Sequence, residues 1–407
     1  MTTKRSDQPL RRVPDSTSQD PWRTESVAVR GQAVIVATRL DLGGGAGAAT
    51  QLLAQHMQVA PADLVLELGR GVGLAGTVAA RLAGVGRVHL ADRNVIACEA
   101  AARTLALNGI DNASVHLSDG MAGLALTQPA DVALVQGPKE KLVALQLVWD
   151  AWNALRDGGR LYVAGANDEG IRPLLRHTEA LFGALTLLDY RRGNRIGMAV
   201  KGALPAALPE AFASSWLDHA RWKTFDVLLC DKTFAVWTRP GIFAWDRLDP
   251  GTRLLAETMT AGEGHDVLDL GCGAGILGTL AGLRGAASVA LVDSDTVAVE
   301  AARRTTTAAG LTTASVWPGD AAAPVRERRF DRVVTNPPFH AGKGTEYAAA
   351  ARFIRDAAAL LRPHGHLELV ANRHLPYEHL IQEAFGAVRL AGEADGFKVL
   401  VGEKTRA

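Results

Sequence analysis

The chain has 407 residues, 48% of them hydrophobic and 21% charged, enough for two or three domains that each bury a core. Its 44 basic and 43 acidic side chains leave a net charge of +1, which excludes a polycationic coat for nucleic acid, so any RNA partner must be held by a local patch. Three cysteines (Cys98, Cys230 and Cys272) with no CxxC pair exclude a disulfide framework and a zinc ribbon, and a reducing, cytoplasmic setting with no metal is expected.

Residues 1–29 are polar, lack the apolar run of a signal peptide, and are read as a flexible tail. The longest uncharged stretch, residues 42–62, contains Gln51, Gln55, His56, Gln58 and Pro61 and would span a bilayer poorly, so no membrane partner is expected. From there the chain reads as strand, glycine turn, helix and strand, in LVLELGRGVGLAG (64–76), HLADRN (89–94), SDGMA (118–122), DVALVQGPK (131–139) and LRDGGRLYVA (155–164). About two hundred residues later the same landmarks return in the same order: DVLDLGCGAGILG (266–278), ALVDSD (290–295), Asp320, DRVVTNPPF (331–339) and LRPHGHLELVA (361–371). Glu67 falls on Asp269, Gly69 on Gly271, Asp92 on Asp293 and Asp119 on Asp320. Short apolar strands alternating with helical stretches predict parallel βαβ units. The expected fold is α/β: two tandem Rossmann-like domains arising by duplication, residues 30–200 and 241–407, each a mainly parallel sheet flanked by helices.

Residues 201–240 are read as a connecting segment. Between positions 191 and 253 there are ten Lys/Arg against six Asp/Glu, and four of the eight tryptophans (Trp216, Trp222, Trp237 and Trp245). Basic residues interleaved with aromatics, as in Arg221-Trp222-Lys223, suit phosphate contact with base stacking; packing between the domains is the other reading.

In the second copy, Gly271-Cys272-Gly273-Ala274-Gly275 sits at a strand-to-helix turn, where glycine allows positive φ and close approach of a ligand. A GxGxxG dinucleotide loop would look similar, and the acidic partners separate the two. Asp269 precedes the loop and is placed to hold a cationic or amino group. Asp293, 22 residues beyond Gly271, is placed to accept ribose hydroxyls, and Asp320 an adenine amine. A nucleoside with a positive centre and no pyrophosphate suits these carboxylates, and S-adenosylmethionine is such a ligand. Cys272, Gly275, Ser294, Ala321 and Asn336 complete the expected cofactor contacts.

Asn336-Pro337-Pro338-Phe339 follows the strand RVVT at the edge where the crevice should open. Two prolines stiffen the backbone and hold Asn336 extended. The amide oxygen of Asn336 and the carbonyl of Pro337 can then converge on one amino group, with Phe339 as a flat face for a planar substrate. A conjugated exocyclic amine is a poor nucleophile, and two acceptors gripping its hydrogens favour a pyramidal nitrogen aimed at a sulfonium methyl. Catalysis would rest on positioning and desolvation, with the base flipped out or unpaired. Pro338, His340 and Lys343 are the expected substrate contacts. A DNA adenine or a protein glutamine could be the acceptor instead; an NAD-type oxidoreductase leaves the tetrapeptide unexplained.

These residues resemble the class I S-adenosylmethionine-dependent methyltransferases with an Asn/Asp-Pro-Pro-aromatic motif. The chain is most similar to the bacterial ribosomal RNA guanine-N2 methyltransferases of the small-subunit methyltransferase C type. The resemblance is carried by RPGIFAWDRLDPGTRLL (239–255), VLDLGCGAGILG (267–278), VTNPPFHAGKG (334–344), NRHLPYEHLIQEAFG (372–386) and GFKVLV (396–401), and extends over roughly residues 30–403. It implies methyl transfer to the N2 amine of a guanine in small-subunit ribosomal RNA, with ribosomal RNA or the small subunit as partner; the sequence does not fix the oligomeric state, and a monomer is favoured. Asp269, Gly271 and Gly273 would hold the cofactor, and Asn336, Pro337 and Phe339 the base. A large-subunit guanine methyltransferase and a non-catalytic RNA-binding or ribosome-assembly protein are the alternatives.

The first copy has Gln136-Gly137-Pro138-Lys139 where the second has the tetrapeptide, and Arg70 in place of Cys272. It is expected to be catalytically silent, with Lys139, Lys141 and Arg160 redirected towards RNA phosphate.

Overall fold

The computed structural model describes residues 21–39, 46–69, 71–338 and 343–405. The first copy runs β1 (Arg23–Val29), β2 (Gln32–Thr38), α1 (Ala48–His56), β3 (Leu64–Leu68), α2 (Leu74–Ala83), β4 (Arg87–Asp92) and α3 (Val95–Leu107). It continues with β5 (Ala113–Leu117), β6 (Ala130–Gln136), α4 (Lys141–Ala154), β7 (Leu155–Ala166), α5 (Ile171–Phe182), β8 (Thr186–Arg191) and β9 (Asn194–Val200). The second copy repeats the series as β10 (Lys223–Leu229), β11 (Lys232–Thr238), α6 (Pro250–Thr258), β12 (Asp266–Leu270), α7 (Ile276–Leu283), β13 (Ser288–Asp293) and α8 (Thr296–Ala308). It closes with β14 (Ala314–Pro318), β15 (Phe330–Thr335), α9 (Lys343–Leu360), β16 (Leu361–Asn372), α10 (Tyr377–Phe385), β17 (Arg389–Ala394) and β18 (Phe397–Glu403).

The sheet orders are β5-β4-β3-β6-β7-β9-β8 and β14-β13-β12-β15-β16-β18-β17, the same path twice. The first five strands of each sheet pair in parallel and the last two pairings are antiparallel, so β9 and β18 alone run against the rest of their sheets. The central strands β3 and β12 are apolar and buried because helices cover both sheet faces. In the second copy α6, α7 and α8 bury Leu255, Leu277, Leu280 and Ala302 on one face; α9 and α10 bury Ile354, Ile381 and Phe385 on the other. The expected tandem Rossmann-like fold is the observed one.

The boundaries differ from the sequence reading. Each copy opens with a hairpin turned by two residues at positive φ, Arg30-Gly31 and Cys230-Asp231, the turn geometry that matches strand twist. Residues 23–29 are therefore strand rather than tail. Likewise 223–238 is the second copy's own hairpin rather than connecting segment, and it buries Val227, Leu229, Phe234 and Val236 against α6 and α7. Polar residues alternating with apolar ones along KTFDVLL mark a half-buried strand, a pattern masked by the local density of charge and tryptophan. The stretch 201–222 links the copies, and its Phe212 and Leu217 pack on α4 of the first. Trp222 and Trp245 pack against Ile242, Val297 and Ala301, so these two rings join the second copy's own packing rather than a seam between the domains.

The copies meet across a local two-fold. Asn94 and Asp295, equivalent residues, form an antiparallel bridge. Around it Val95 N–H donates to the Ser294 carbonyl (2.8 Å) and Thr296 N–H to the Arg93 carbonyl (2.9 Å), the same bond made in each direction. Such an exchange is what a duplicated, self-complementary surface produces. No helix among the described residues is long and apolar enough to cross a membrane.

Candidate active site

The second sheet's β12 and β13 end side by side beneath the glycine turn. Gly271 and Cys272 N–H both donate to the Val292 carbonyl (2.9 and 3.0 Å), tying the loop to the next strand. Gly271, Gly273 and Gly275 have φ of 73°, 53° and 79°, a region that side-chain-bearing residues disfavour. A Cβ on Gly273 would meet nothing within 4 Å: the loop is a cradle with open space above it.

That space is a cavity of about 840 Å³, inside the range of small-ligand sites. Asp269, Gly271, Cys272, Gly273, Asp293, Ser294, Asp320, Ala321, Asn336, Pro337 and Pro338 all line it, so sequence-predicted residues from five loops converge. Gly275 instead caps α7 at its base. Phe339 and His340 lie outside the described residues, and Lys343 enters only as the first residue of α9.

The carboxylates are tuned by burial. Asp269, 1% exposed, accepts from Gly278 N–H (2.8 Å), and burial pushes its carboxyl up to about 7. Asp293 accepts from Gly273 N–H (2.8 Å) and Asp295 N–H (2.9 Å), and burial with the nearby Asp295 pushes it to about 6. Both therefore favour a ligand that brings positive charge or hydroxyl donors. Asp320 is already gripped by two guanidiniums, Arg352 at 2.6 Å and Arg39 of the first copy at 2.5 Å. Ser294 is likewise shared, its hydroxyl accepting from Asn94 of the first copy at 3.1 Å.

Asn336 follows β15 and is half-buried. Its amide NH₂ donates to Thr252 Oγ1 (2.9 Å) and approaches Asp249 Oδ2 (3.3 Å); the Thr252 hydroxyl in turn lies 3.2 Å from Asp249. An ionised carboxylate only accepts, so this chain fixes which end of the amide faces it. The other end, Oδ1, is buried and has no hydrogen-bond partner among the described residues. A buried, unmatched acceptor on the wall of a cavity is costly unless a ligand donor meets it.

Asp249 and Thr252 were not singled out from sequence. DPGT is a helix start, and Asp249 does cap α6, accepting from Thr252 N–H at 2.8 Å. Its second role, clamping Asn336 from 87 residues away, had no local signal.

In the first copy the equivalent residues are arranged differently, although Gly71, Asp92, Gln136 and Pro138 line the same cavity. The longer Glu67 carboxylate stands where a Cβ on Gly71 would go, filling the cradle. Thr50 Oγ1 donates to Gln136 Oε1 at 2.6 Å, consuming the acceptor that Asn336 keeps open, and Gly47 offers no carboxylate in place of Asp249. His219 from the linking stretch lies 3.3 Å from Asp119 and 3.0 Å from Asp150, and these pairings push its pKa to about 9 against the opposing effect of burial. Arg160, expected to face RNA, pairs with Asp63 at 2.9 Å. Arg70 lies outside the described residues.

A family model described as methyltransferase small domain matches twice, at residues 33–196 and 233–401. The chain belongs to that family. Ribosomal RNA small subunit methyltransferase C of Chromohalobacter salexigens is 35% identical over 285 residues, 69% of this chain and 80% of that protein. Its counterpart in Pseudomonas entomophila is 36% identical over 273 residues, 66% of this chain and 78% of that protein. Among solved structures, a T. thermophilus 16S rRNA N2 methyltransferase in complex with AdoMet and guanosine superposes with a TM-score of 0.77 and 27% identity. That match covers 94% of this chain and 98% of the other, so the family's likeness extends over both copies.

Proposed function

We propose that the chain is an S-adenosylmethionine-dependent methyltransferase acting on the exocyclic N2 amine of a guanine in small-subunit ribosomal RNA, with the second copy as the catalytic one. The observation that carries it is Asn336 on the cavity wall, its amide NH₂ bound by Thr252 and Asp249 and its buried Oδ1 without a hydrogen-bond partner among the described residues. The cofactor fits the residues present. Gly273 leaves room for a ligand above the loop, and the raised carboxyls of Asp269 and Asp293 gain from a cationic, hydroxyl-bearing partner. Bound there, S-adenosylmethionine supplies a methyl group on a sulfonium that an amine can displace.

The chain's own part is positional. Asn336 Oδ1 and the Pro337 carbonyl accept the amine's two hydrogens, turning its lone pair out of the ring plane. Asp293 holds the ribose and Asp320 with Ala321 the adenine, while the glycine loop admits the cofactor backbone-close. The amine's proton becomes acidic as its bond to carbon forms, so no strong base is required, and in-line geometry with desolvation carries the rate. The small-subunit substrate is supported by the names of the relatives, and the silent first copy by its filled cradle and bonded Gln136.

The test is to incubate the protein with labelled S-adenosylmethionine and, separately, naked ribosomal RNA, small subunits, large subunits and DNA, then digest to nucleosides. Label on N2-methylguanosine from small-subunit RNA is expected. Label on N6 of adenine, on protein, or only on large subunits would discard the proposal.

A further inference from the structure

The local two-fold carries a second, longer exchange. Each opening hairpin ends on Thr-Arg, Thr38-Arg39 and Thr238-Arg239, and each arginine leaves its own copy. Arg39 Nη1 lies 2.5 Å from Asp320 Oδ2 of the second copy; Arg239 Nη1 lies 3.9 Å from Asp119 Oδ2 of the first. The Arg39 side chain is 1% exposed. Burying a guanidinium so fully is tolerable only with a carboxylate against it, and this carboxylate faces the cofactor cavity.

We infer, on the reading above that the second crevice takes an adenosyl ligand, that Arg39 is a positioning residue for adenine recognition supplied by the first copy. Arg39 donates to Asp320 Oδ2 at 2.5 Å and, more distantly, to Oδ1 at 3.4 Å, where Arg352 also donates at 2.6 Å, so the carboxylate's rotation is locked from two sides. Each carboxylate oxygen can accept more than one hydrogen bond, so acceptor capacity remains for an adenine amine. In the first copy Asp119 meets His219 and Arg93 as well as Arg239, and it does not line the cavity. The symmetric device thus recognises a ligand on one side only. The first copy thereby contributes to cofactor choice as well as packing, and cofactor binding must in return tighten the contact between the copies.

The experiment uses the full chain and two ligands, S-adenosylhomocysteine and its inosyl analogue, in which a carbonyl oxygen replaces the adenine amine. Calorimetric Kd values are compared for the unmodified protein, Arg39→Met and Arg39→Lys. Arg39→Met should raise the adenosyl Kd by about tenfold, the worth of one good hydrogen bond, and change the inosyl Kd by less than about twofold. The KM for S-adenosylmethionine should rise with kcat unchanged at saturation. Arg39→Lys, which keeps the charge and guards against a folding failure, should retain part of the preference. An unchanged adenosyl Kd overturns the inference, as does an equal weakening of both ligands, which would mark Arg39 as merely structural. A parent protein that binds no adenosyl ligand at all would instead overturn the cofactor reading itself.

Discussion

The two copies share a sheet order, a glycine turn and a set of acidic landmarks, yet they differ at the amide that ends the fourth strand of the parallel series. In the second, Gly273 faces empty space and Asn336 Oδ1 has no hydrogen-bond partner among the described residues. In the first, Glu67 fills the cradle, Thr50 bonds Gln136, and His219 with Arg239 and Arg93 surrounds Asp119. The lesson is that a duplicated site can change at its amide and its glycine turn, through the Thr50–Gln136 bond and the longer Glu67, without loss of the fold. One methylene, from aspartate to glutamate, brings a carboxylate against the turn at Gly71.

The largest effect that would break this contrast lies at the ribose aspartates. Asp293→Ala should raise the cofactor Kd by about a hundredfold, the loss of two hydrogen bonds to a charged acceptor, whereas Asp92→Ala at the matching position should leave it within about twofold. Calorimetry showing equal losses would place cofactor in both copies.

Next comes the clamp on the ledge. Asp249→Ala should lower kcat about tenfold or more by letting the Asn336 amide turn, and lower stability by about 1 kcal/mol through the lost helix cap. Rapid-quench kinetics and thermal melts separate the two effects, and a melt change with full kcat would leave Asp249 a cap only.

A pH dependence sharpens the comparison further. With carboxyls raised to about 7 for Asp269 and about 6 for Asp293, the ligand-free site holds protons below those values. A cationic, hydroxyl-bearing ligand needs the ionised forms, so cofactor affinity should fall as pH drops below about 7, by up to tenfold per unit for each proton expelled. Titration calorimetry in buffers of different ionisation heat should show proton release near pH 6; its absence would count against these two contacts.

The smallest effect belongs to the first copy. His219 has a raised pKa, so its contribution is complete below its ordinary value of 6.5 and is lost as pH climbs through about 9. Melting temperature should decline over that window in the parent protein and stay flatter in His219→Gln, with turnover unaffected in both.

Much of this was legible in the sequence. The duplication, the parallel sheets and the cluster of Asp269, Gly271, Asp293, Asp320 and Asn336 follow from short apolar strands and residues that sit at strand ends, where motif spacing maps onto the crevice directly. The hairpin at 223–238 was hidden because its charged and aromatic residues imitate a linker. The contact between Arg39 and Asp320 spans 281 residues and the Asn336 clamp 87, and neither leaves a periodic trace. Asp249 was visible only as a helix cap, since one carboxylate performs both tasks.

The central claim is that Asn336 alone presents an open acceptor to the guanine amine. Single-turnover methyl transfer to small-subunit RNA by Asn336→Ala and Gln136→Ala, each preloaded with cofactor, tests it most directly. The account predicts that the first variant loses about a hundredfold or more in rate while retaining cofactor, and that the second transfers methyl at the parent rate. Equal losses in the two variants, or a rate that survives in Asn336→Ala, would contradict it.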